Sequence, residues 1–290
     1  MPIAKNNNLL GETAKLAFLA LAALLLASCG QDREEKVDVY VSIPPLLPFV
    51  QRLAGPGVKC ESFMPSGANP HQYEPSPRKG AGFYDSKLFV MTGLPFEKEL
   101  AKRAKGGHGP KLLDLAPEDA DHDHDHEEEG HHHDPHIWLS PRLMKERVQD
   151  MAAALCELYP EKKEDIEKRA EEIKEELKAF DEELKETFKD GNKVFLVFHP
   201  AYSCFAEDYG LTEIAVEKEG SEPTPKSLSS ALDKAQSENI ANLIVQPGMN
   251  ERLAKNIADT ANLKIIKRDA LSTNYYEELR ALARNIKGGE

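Results

Sequence analysis

The residues of this chain best suited to chemistry are its histidines. Seven of the ten lie between Glu118 and Pro141, in the stretch EDADHDHDHEEEGHHHDPHIWLSP. Imidazoles interleaved with carboxylates either hold a divalent metal ion or form a solvated, charged tether. We expect both, in different parts of the stretch, and place the boundary between His133 and His136.

Three histidines share one context, in which a proline is the direct neighbour. They are His71 after Pro70, His136 after Pro135 and His199 before Pro200. Proline fixes the φ angle and restricts the loop, which pre-organises an imidazole for a metal. Each histidine also follows or adjoins a predicted strand, and loops at the carboxyl ends of parallel strands can converge on one ligand. We therefore predict a shared metal site, with ordinary loop or core histidines as the alternative.

A protein-bound zinc ion usually has four ligands, so three histidines need a further donor. Asp269, just after the last predicted strand, is the candidate. Glu74 is expected either to accept a hydrogen bond behind a ligand or to cap the following helix. Cys204 is an alternative soft ligand, although its spacing from His199 is more typical of a helix face in the core. Trp138, the single tryptophan, is predicted to pack beneath the site.

The other histidines of the opening stretch form a second group, namely His122, His124, His126, His131, His132 and His133. Residues 117–134 contain almost no apolar side chain except alanine, so they cannot bury enough surface to offset the entropy of ordering. We predict a mobile loop. Flexible ligands must be ordered on binding, which indicates a weak accessory zinc site; an inert solvated loop is the alternative.

Strand and helix patterns alternate along the chain, which indicates an α/β fold with parallel sheets covered on both faces. We predict an N-terminal lobe over residues 37–159 and a C-terminal lobe over residues 191–290, each with a mainly parallel sheet flanked by helices. Ser76-Pro77 and Ser140-Pro141 are typical of helix starts.

Residues 160–190 join the two lobes and differ from the rest of the chain. Their apolar residues recur every three or four positions, and nearly every other position is charged. This spacing predicts one long, rigid helix with a narrow buried stripe. An isolated coiled-coil arm is the alternative. The predicted stripe consists of Ile166, Ala170, Ile173, Leu177, Phe180, Leu184 and Phe188.

The N-terminus has the pattern of an export signal. Lys5 and Lys15 precede the apolar run 16–27, which is too short to span a bilayer that requires about 20 residues. Cys29 follows small residues, as in the lipobox of bacterial lipoproteins, so we predict a signal peptide over residues 1–28, lipidation of Cys29 and a polar tether over residues 29–36. An ordinary signal peptide is the alternative.

Composition narrows the choice of partner. The net charge of −13 argues against a nucleic-acid partner, since nucleic acid is bound through clustered Lys and Arg.

Export implies an oxidising compartment, in which Cys60, Cys156 and Cys204 either include one disulfide or serve as buried apolar residues.

Three stretches carry a resemblance to a known family. They are PHQYEPSP from Pro70, DPHIWLSP from Asp134, and FHPAY from Phe198 with YGL from Tyr209. In them the chain resembles the metal-specific solute-binding lipoproteins of bacterial ABC transporters, the zinc and manganese cluster 9 group. The similarity extends from about Val37 to the C-terminus and includes the long charged helix and the His/acidic loop.

The resemblance implies two α/β lobes joined by a rigid helix, with the metal in the cleft between them. It places ligands at His71, His136 and His199 and a second-lobe carboxylate at Asp269. Many relatives carry a glutamate where this chain has Gln246. A histidine as the third ligand resembles the pattern of the zinc-specific branch of this family rather than that of the manganese branch. Nitrogen donors also favour zinc over manganese.

The family further implies a monomeric, non-enzymatic protein that captures Zn²⁺ outside the cytoplasm and delivers it to an ABC permease, which its ATPase powers. A manganese- or iron-specific protein of the same family and an exported zinc hydrolase are the alternatives. A surface adhesin or zinc buffer is a further one. Against the hydrolase, the sequence has no His-Glu-x-x-His helix and no clear general base.

Overall fold

The computed structural model describes residues 36–104, 109–116, 134–217, 221 and 223–288. Eight strands in these residues form two sheets of four, and every strand pair in both sheets is parallel. Helices connect consecutive strands. The predicted α/β architecture with two parallel sheets is confirmed.

The first sheet has the strand order β2-β1-β3-β4. Its strands are Val39–Val41 (β1), Cys60–Ser62 (β2), Leu88–Met91 (β3) and Lys111–Asp114 (β4). Its helices are Leu47–Ala54 (α1), Pro77–Asp85 (α2) and Pro95–Ala104 (α3). Ser76 caps α2 by accepting the N–H of Lys79, as its sequence predicts. The loop that carries His71 leaves the sheet at the carboxyl end of β2.

Two long helices, Pro141–Leu158 (α4) and Lys163–Thr187 (α5), follow the first sheet. The predicted helix over 160–190 is therefore shorter at both ends. Pro160–Lys162 form a separate 3-10 turn, and Phe188, with φ of −98° and ψ of 10°, already departs from α-helical geometry. The predicted stripe is confirmed, since all seven of its side chains are at most 3% exposed.

The second sheet repeats the topology of the first, with the strand order β6-β5-β7-β8. Its strands are Val194–Val197 (β5), Thr212–Ala215 (β6), Asn242–Val245 (β7) and Lys264–Lys267 (β8). Its helices are Ser203–Tyr209 (α6), Pro225–Ser237 (α7), Glu251–Ala261 (α8) and Tyr275–Ile286 (α9). His199, Gln246 and Asp269 each follow the carboxyl end of a strand of this sheet.

The core has two parts, and successive residues of β5 point into different ones. Phe195 and Val197 join a large cluster that contains the first sheet, the stripe of α5 and part of α9. Leu196 and Phe198 join a smaller cluster under α7 and α8. This alternation follows from the two-residue period of a strand. The large cluster therefore connects both sheets through one continuous apolar interior.

Two further expectations concern the membrane and the cysteines. None of the described helices is both long and apolar enough to cross a lipid bilayer. The three described cysteines are free thiols: Cys60 is buried, and Cys156 and Cys204 are partly exposed. Cys60 belongs to the large apolar cluster and the other two pack against it, which agrees with the apolar role rather than with a disulfide.

Candidate metal site

The three proline-flanked histidines lie together. Nε2 of His136 is 3.4 Å from Nε2 of His71 and 3.4 Å from Nε2 of His199. One ligand nitrogen from each ring lies within 4.8 Å of the other two. Zinc–nitrogen bonds of about 2.0–2.1 Å place neighbouring ligands of a tetrahedral ion roughly 3.4 Å apart. The spacing of the three nitrogens therefore suits one zinc ion.

His71 and His136 enter the site from matching turns. In Asn69-Pro70-His71, the Oδ1 of Asn69 accepts the backbone N–H of His71 at 3.0 Å. In Asp134-Pro135-His136, the Oδ1 of Asp134 accepts the backbone N–H of His136 at 2.9 Å. Asn and Asp side chains commonly bond the backbone two residues on. That bond and the proline ring together fix the position of each imidazole.

His199 enters from the second sheet, two residues after the end of β5. Its backbone oxygen accepts Nε2–H of Gln246 at 3.1 Å. The turn that follows is held by the carboxylate of Glu213, which accepts bonds from the N–H groups of Ala201 and Tyr202 at 3.2 and 3.0 Å and from the Ser203 hydroxyl at 3.0 Å. Burial raises the pKa of Glu213 to about 7, although these bonds oppose the shift.

Carboxylates lie behind two of the three rings. Nδ1 of His136 is 2.5 Å from Oδ1 of Asp134, and Nδ1 of His199 is 2.6 Å from Oε1 of Glu217. Each carboxylate accepts Nδ1–H, so the lone pair of each ring lies on Nε2, which faces the other two histidines. Burial acts to raise the pKa of Asp134, but its hydrogen bonds from His136 outweigh this effect and lower that pKa.

The third ring is neutral at physiological pH. Burial, followed by the proximity of His136 and His199, lowers the pKa of His71 to about 3. His136 and His199 are themselves only 4% and 2% exposed. Since a metal ligand must be a neutral imidazole, the environment of His71 disfavours the protonated form that would compete with an ion.

Asp269 lies beside the histidines rather than among them. It lines a cavity of about 20 Å³ together with His136, His199 and Gln246. Its Oδ1 accepts the backbone N–H of Leu271 at 2.9 Å. The carboxylate is not one of the donor groups that lie within 4.8 Å of one another. The structure thus brings the three predicted histidines together and places the predicted fourth residue at the wall of the same space.

Comparison with known proteins identifies the family to which this chain belongs. The model of the family described as zinc-uptake complex component A, periplasmic (ZnuA) matches residues 39–289. The chain belongs to this family. The match spans both sheets and contains all three histidines.

The relatives agree with the family. The chain is 30% identical to the zinc-binding lipoprotein AdcA of Streptococcus pneumoniae, over 92% of this chain and 56% of the relative. It is 28% identical to the high-affinity zinc uptake system protein ZnuA of Bacillus subtilis, over 86% of this chain and 85% of the relative. The crystal structure of a ZnuA aligns with a TM-score of 0.78 and 30% identity, over 88% of this chain and 99% of that one. The chain thus spans little more than half of the pneumococcal relative.

Other predicted site residues have defined places in this member of the ZnuA family. Trp138 is 1% exposed, its ring centre is 5.1 Å from that of His136, and its Nε1–H donates to the Ala270 oxygen at 2.7 Å, as expected for packing beneath the site. Glu74 is exposed, and it does not cap α2, because Ser76 has that role. Burial, then nearby carboxylates, raises the pKa of Cys204 to about 12, which disfavours a thiolate ligand.

Sequence reasoning missed the two carboxylates behind the rings. We predicted that Asp134 ends the mobile loop, but it lies in the same turn as His136. The equivalent residue Asn69, which also stands two positions before a histidine, was the sequence signal for this role. Glu217 lies 18 residues from His199 with no local signal. The predicted signal peptide, Cys29 and the histidines from His122 to His133 lie outside the described residues.

Proposed function

We propose that this protein is an extracytoplasmic zinc-binding protein that captures Zn²⁺ and delivers it to the permease of an ABC transporter. One observation carries the proposal: Nε2 of His136 lies 3.4 Å from Nε2 of His71 and of His199, the spacing of neighbouring ligands on a tetrahedral zinc ion, and all three rings are buried or half-buried. Membership in a zinc-uptake family and the names of the relatives support the same cargo. The permease and its ATPase are the proposed partners, and the chain is proposed to act as a non-enzymatic monomer.

The chemistry of the donors favours zinc over harder ions. Three imidazole nitrogens suit Zn²⁺, whereas Mn²⁺ prefers carboxylate and water oxygens. Asp134 and Glu217 accept hydrogen bonds behind the rings and add negative charge that attracts a cation without themselves being placed as ligands. Asp269 is the proposed source of negative charge at the fourth position.

The origin of the ligands suggests how the ion is released. His71 and His136 belong to the segments around the first sheet, whereas His199 follows β5 of the second. Movement of the second sheet away from the first would withdraw His199 together with Asp269, and the two histidines that remain would hold the ion far more weakly. We infer that the permease obtains the ion by favouring this separation.

The N-terminus and the histidine tract extend this proposal. A lipid on Cys29 would hold the protein at the outer side of the membrane through the tether over residues 29–36. The tract from His122 to His133 would collect zinc weakly near the tight site. Both remain predictions.

Metal titration tests the proposal. Chelator-stripped protein is titrated with Zn²⁺ and with Mn²⁺ against a chromophoric chelator, and the bound metal is measured by elemental analysis. We expect one tight Zn²⁺ per molecule and no hydrolytic activity. His199→Ala should abolish the tight site and remove most of the zinc-dependent rise in melting temperature, because stabilisation by a ligand depends on its affinity for the folded state. Tighter binding of Mn²⁺, or unchanged zinc affinity in the variant, would refute the assignment.

A further inference from the structure

Gln246 is a buried residue of the site whose hydrogen bonding is incomplete. It directly follows β7 and is 5% exposed. Its Nε2–H donates to the backbone oxygen of His199. Since a carbonyl oxygen can only accept, this bond determines which end of the amide is the nitrogen. The other end, Oε1, is buried and has no hydrogen-bond partner among the described residues. Buried acceptors in native proteins are nearly always paired, so Oε1 requires a donor.

Gln246 lines a cavity that has the size of one water molecule. The cavity has a volume of about 20 Å³ and also adjoins His136, His199 and Asp269. A cavity needs about 10–15 Å³ and two or more polar partners to hold a water. The remaining walls come from Pro70, Trp138, Ala201, Pro247, Met249, Ala270 and Leu271. Their one side-chain N–H, that of the Trp138 indole, already donates to the Ala270 oxygen.

Two acceptors therefore adjoin a space that lies next to two of the metal-binding rings. One oxygen of Asp269 accepts the N–H of Leu271, which leaves the carboxylate with further capacity to accept. A water molecule has two hydrogens for Gln246 and Asp269 and a lone pair for a cation. This combination of donors and acceptors matches a metal-bound water.

We propose that Gln246 is a specificity-determining residue: its Oε1 and the Asp269 carboxylate accept the two hydrogens of a water whose oxygen is the fourth ligand of the bound metal. The proposal rests on the proposed function, because the water is oriented by the ion that the histidines hold. A neutral amide at this position stabilises the water without offering an anionic oxygen. It thereby favours a four-coordinate zinc over ions that select carboxylate oxygens.

Two substitutions separate the roles of the two ends of the amide. Gln246→Met removes the acceptor and the bond to His199, whereas Gln246→Glu keeps an acceptor, loses the N–H donor and adds a negative charge. Loss of a partner outside the ligand shell typically costs 10–100-fold in metal affinity, so we expect a loss of this size in Gln246→Met. We expect Gln246→Glu to bind Zn²⁺ at least roughly tenfold more tightly than Gln246→Met and to have a lower ratio of Zn²⁺ to Mn²⁺ affinity.

Matched controls come from Gln236, an exposed residue of α7. Gln236→Met and Gln236→Glu make the same chemical changes and should leave both affinities unaltered. If zinc affinity falls equally in the two Gln246 variants, Gln246 acts only through its hydrogen bond to His199, and the proposal is overturned. Wild-type affinity in both variants would overturn it as well.

Cobalt substitution tests the water directly. Co²⁺ replaces Zn²⁺ in the chelator-stripped protein, and azide is added, since it displaces a bound water far more readily than a carboxylate of the protein. A change in the visible spectrum is expected in the wild type. No change would indicate direct ligation by Asp269 and overturn the proposal. Failure of the wild type to bind Zn²⁺ or Co²⁺ at all would instead contradict the proposed function, so the two failures are distinguishable.

Discussion

At the scale of residues, the site depends on which nitrogen of each ring is free to bind an ion. The carboxylates of Asp134 and Glu217 accept the Nδ1–H groups of His136 and His199, so the lone pair lies on Nε2, the proposed ligand atom in both. His71 has a pKa lowered to about 3, first by burial and then by the other two rings. The orientation of these two rings is thus set by carboxylates that need not touch the metal, whereas the neutrality of His71 follows from burial and from the other two rings.

The role of Glu217 gives the first prediction. Glu217→Gln leaves the size of the side chain unchanged but replaces the charged acceptor behind His199 with a neutral amide. We expect zinc affinity to fall about 10–100-fold, as is typical for partners of ligating histidines, when measured by competition with a chelator. Glu207→Gln in α6 is the control because Glu207 is exposed. Equal affinities of the two variants would contradict the role of Glu217.

Glu97 gives a prediction about pH. Its fully buried carboxylate accepts the N–H groups of Thr92, Gly93 and Leu94 at 2.9, 2.6 and 2.7 Å. Burial raises the pKa of Glu97 from 4.5 to about 7, against the effect of these bonds. The folded state therefore binds this proton more tightly than the unfolded state. Its contribution to stability is complete below about pH 4.5 and is lost as the pH rises through 7.

The measurement compares urea unfolding of metal-free wild type and Glu97→Gln between pH 4.5 and 7. We expect the unfolding free energy of the wild type, minus that of the variant, to decrease as the pH rises. Glu99→Gln on the same helix is the control, because Glu99 is exposed. A difference that is independent of pH would show that Glu97 titrates alike in the folded and unfolded states.

At the scale of elements, α5 is held by its narrow apolar stripe more than by its many charges. Its ion pairs to neighbouring helices, Arg52 with Glu176 and Arg280 with Glu183, are partly exposed. Such pairs contribute about 0–1 kcal/mol. Leu177, by contrast, is fully buried in the cluster that connects the two sheets.

Two substitutions on this helix should therefore differ in cost. Leu177→Ala is expected to lower the unfolding free energy by about 2–5 kcal/mol, because it removes buried methyl groups and leaves a cavity. Glu183→Gln, which breaks the pair with Arg280, should cost less than about 1 kcal/mol. Denaturant unfolding of the metal-free protein measures both. A larger effect of Glu183→Gln would reverse our view of what holds the helix.

At the scale of the whole molecule, the two sheets share an interior and a site. The large cluster is continuous from β1 to α9, and Trp138 bonds Ala270 directly beneath the histidines. Asp208 of α6 also accepts a bond from Arg142 of α4 at 2.6 Å. These contacts keep the three histidines from the two halves at a spacing that a metal can use, so the proposed site depends on the complete fold.

Deletion of residues 119–133 tests whether the tight site is independent of the histidine tract. The three ligands and the acceptors behind them all lie outside the deleted segment. We expect one tight zinc per molecule with unchanged affinity and the loss of weaker sites only, as measured by titration and elemental analysis. Loss of the tight site on deletion would place essential ligands in the tract.

The sequence alone determined the elements and the ligand candidates, because both depend on local information. The stripe of α5 was predicted residue by residue from its spacing, and Ser76 and Ser140 cap their helices as expected. Proline neighbours singled out His71, His136 and His199 from ten histidines. In two of these cases the Asx-Pro-His turn also fixes the backbone.

Tertiary structure decided which distant residues complete the site. Glu217 reaches His199 because β6 pairs with β5, and Gln246 reaches it because β7 pairs with β5 on the other side. Their separations in sequence, 18 and 47 residues, leave no local periodicity or motif to connect them. Strand order is a property of packing, so the acceptors behind the ligands and the unpaired oxygen of Gln246 became visible only in the folded chain.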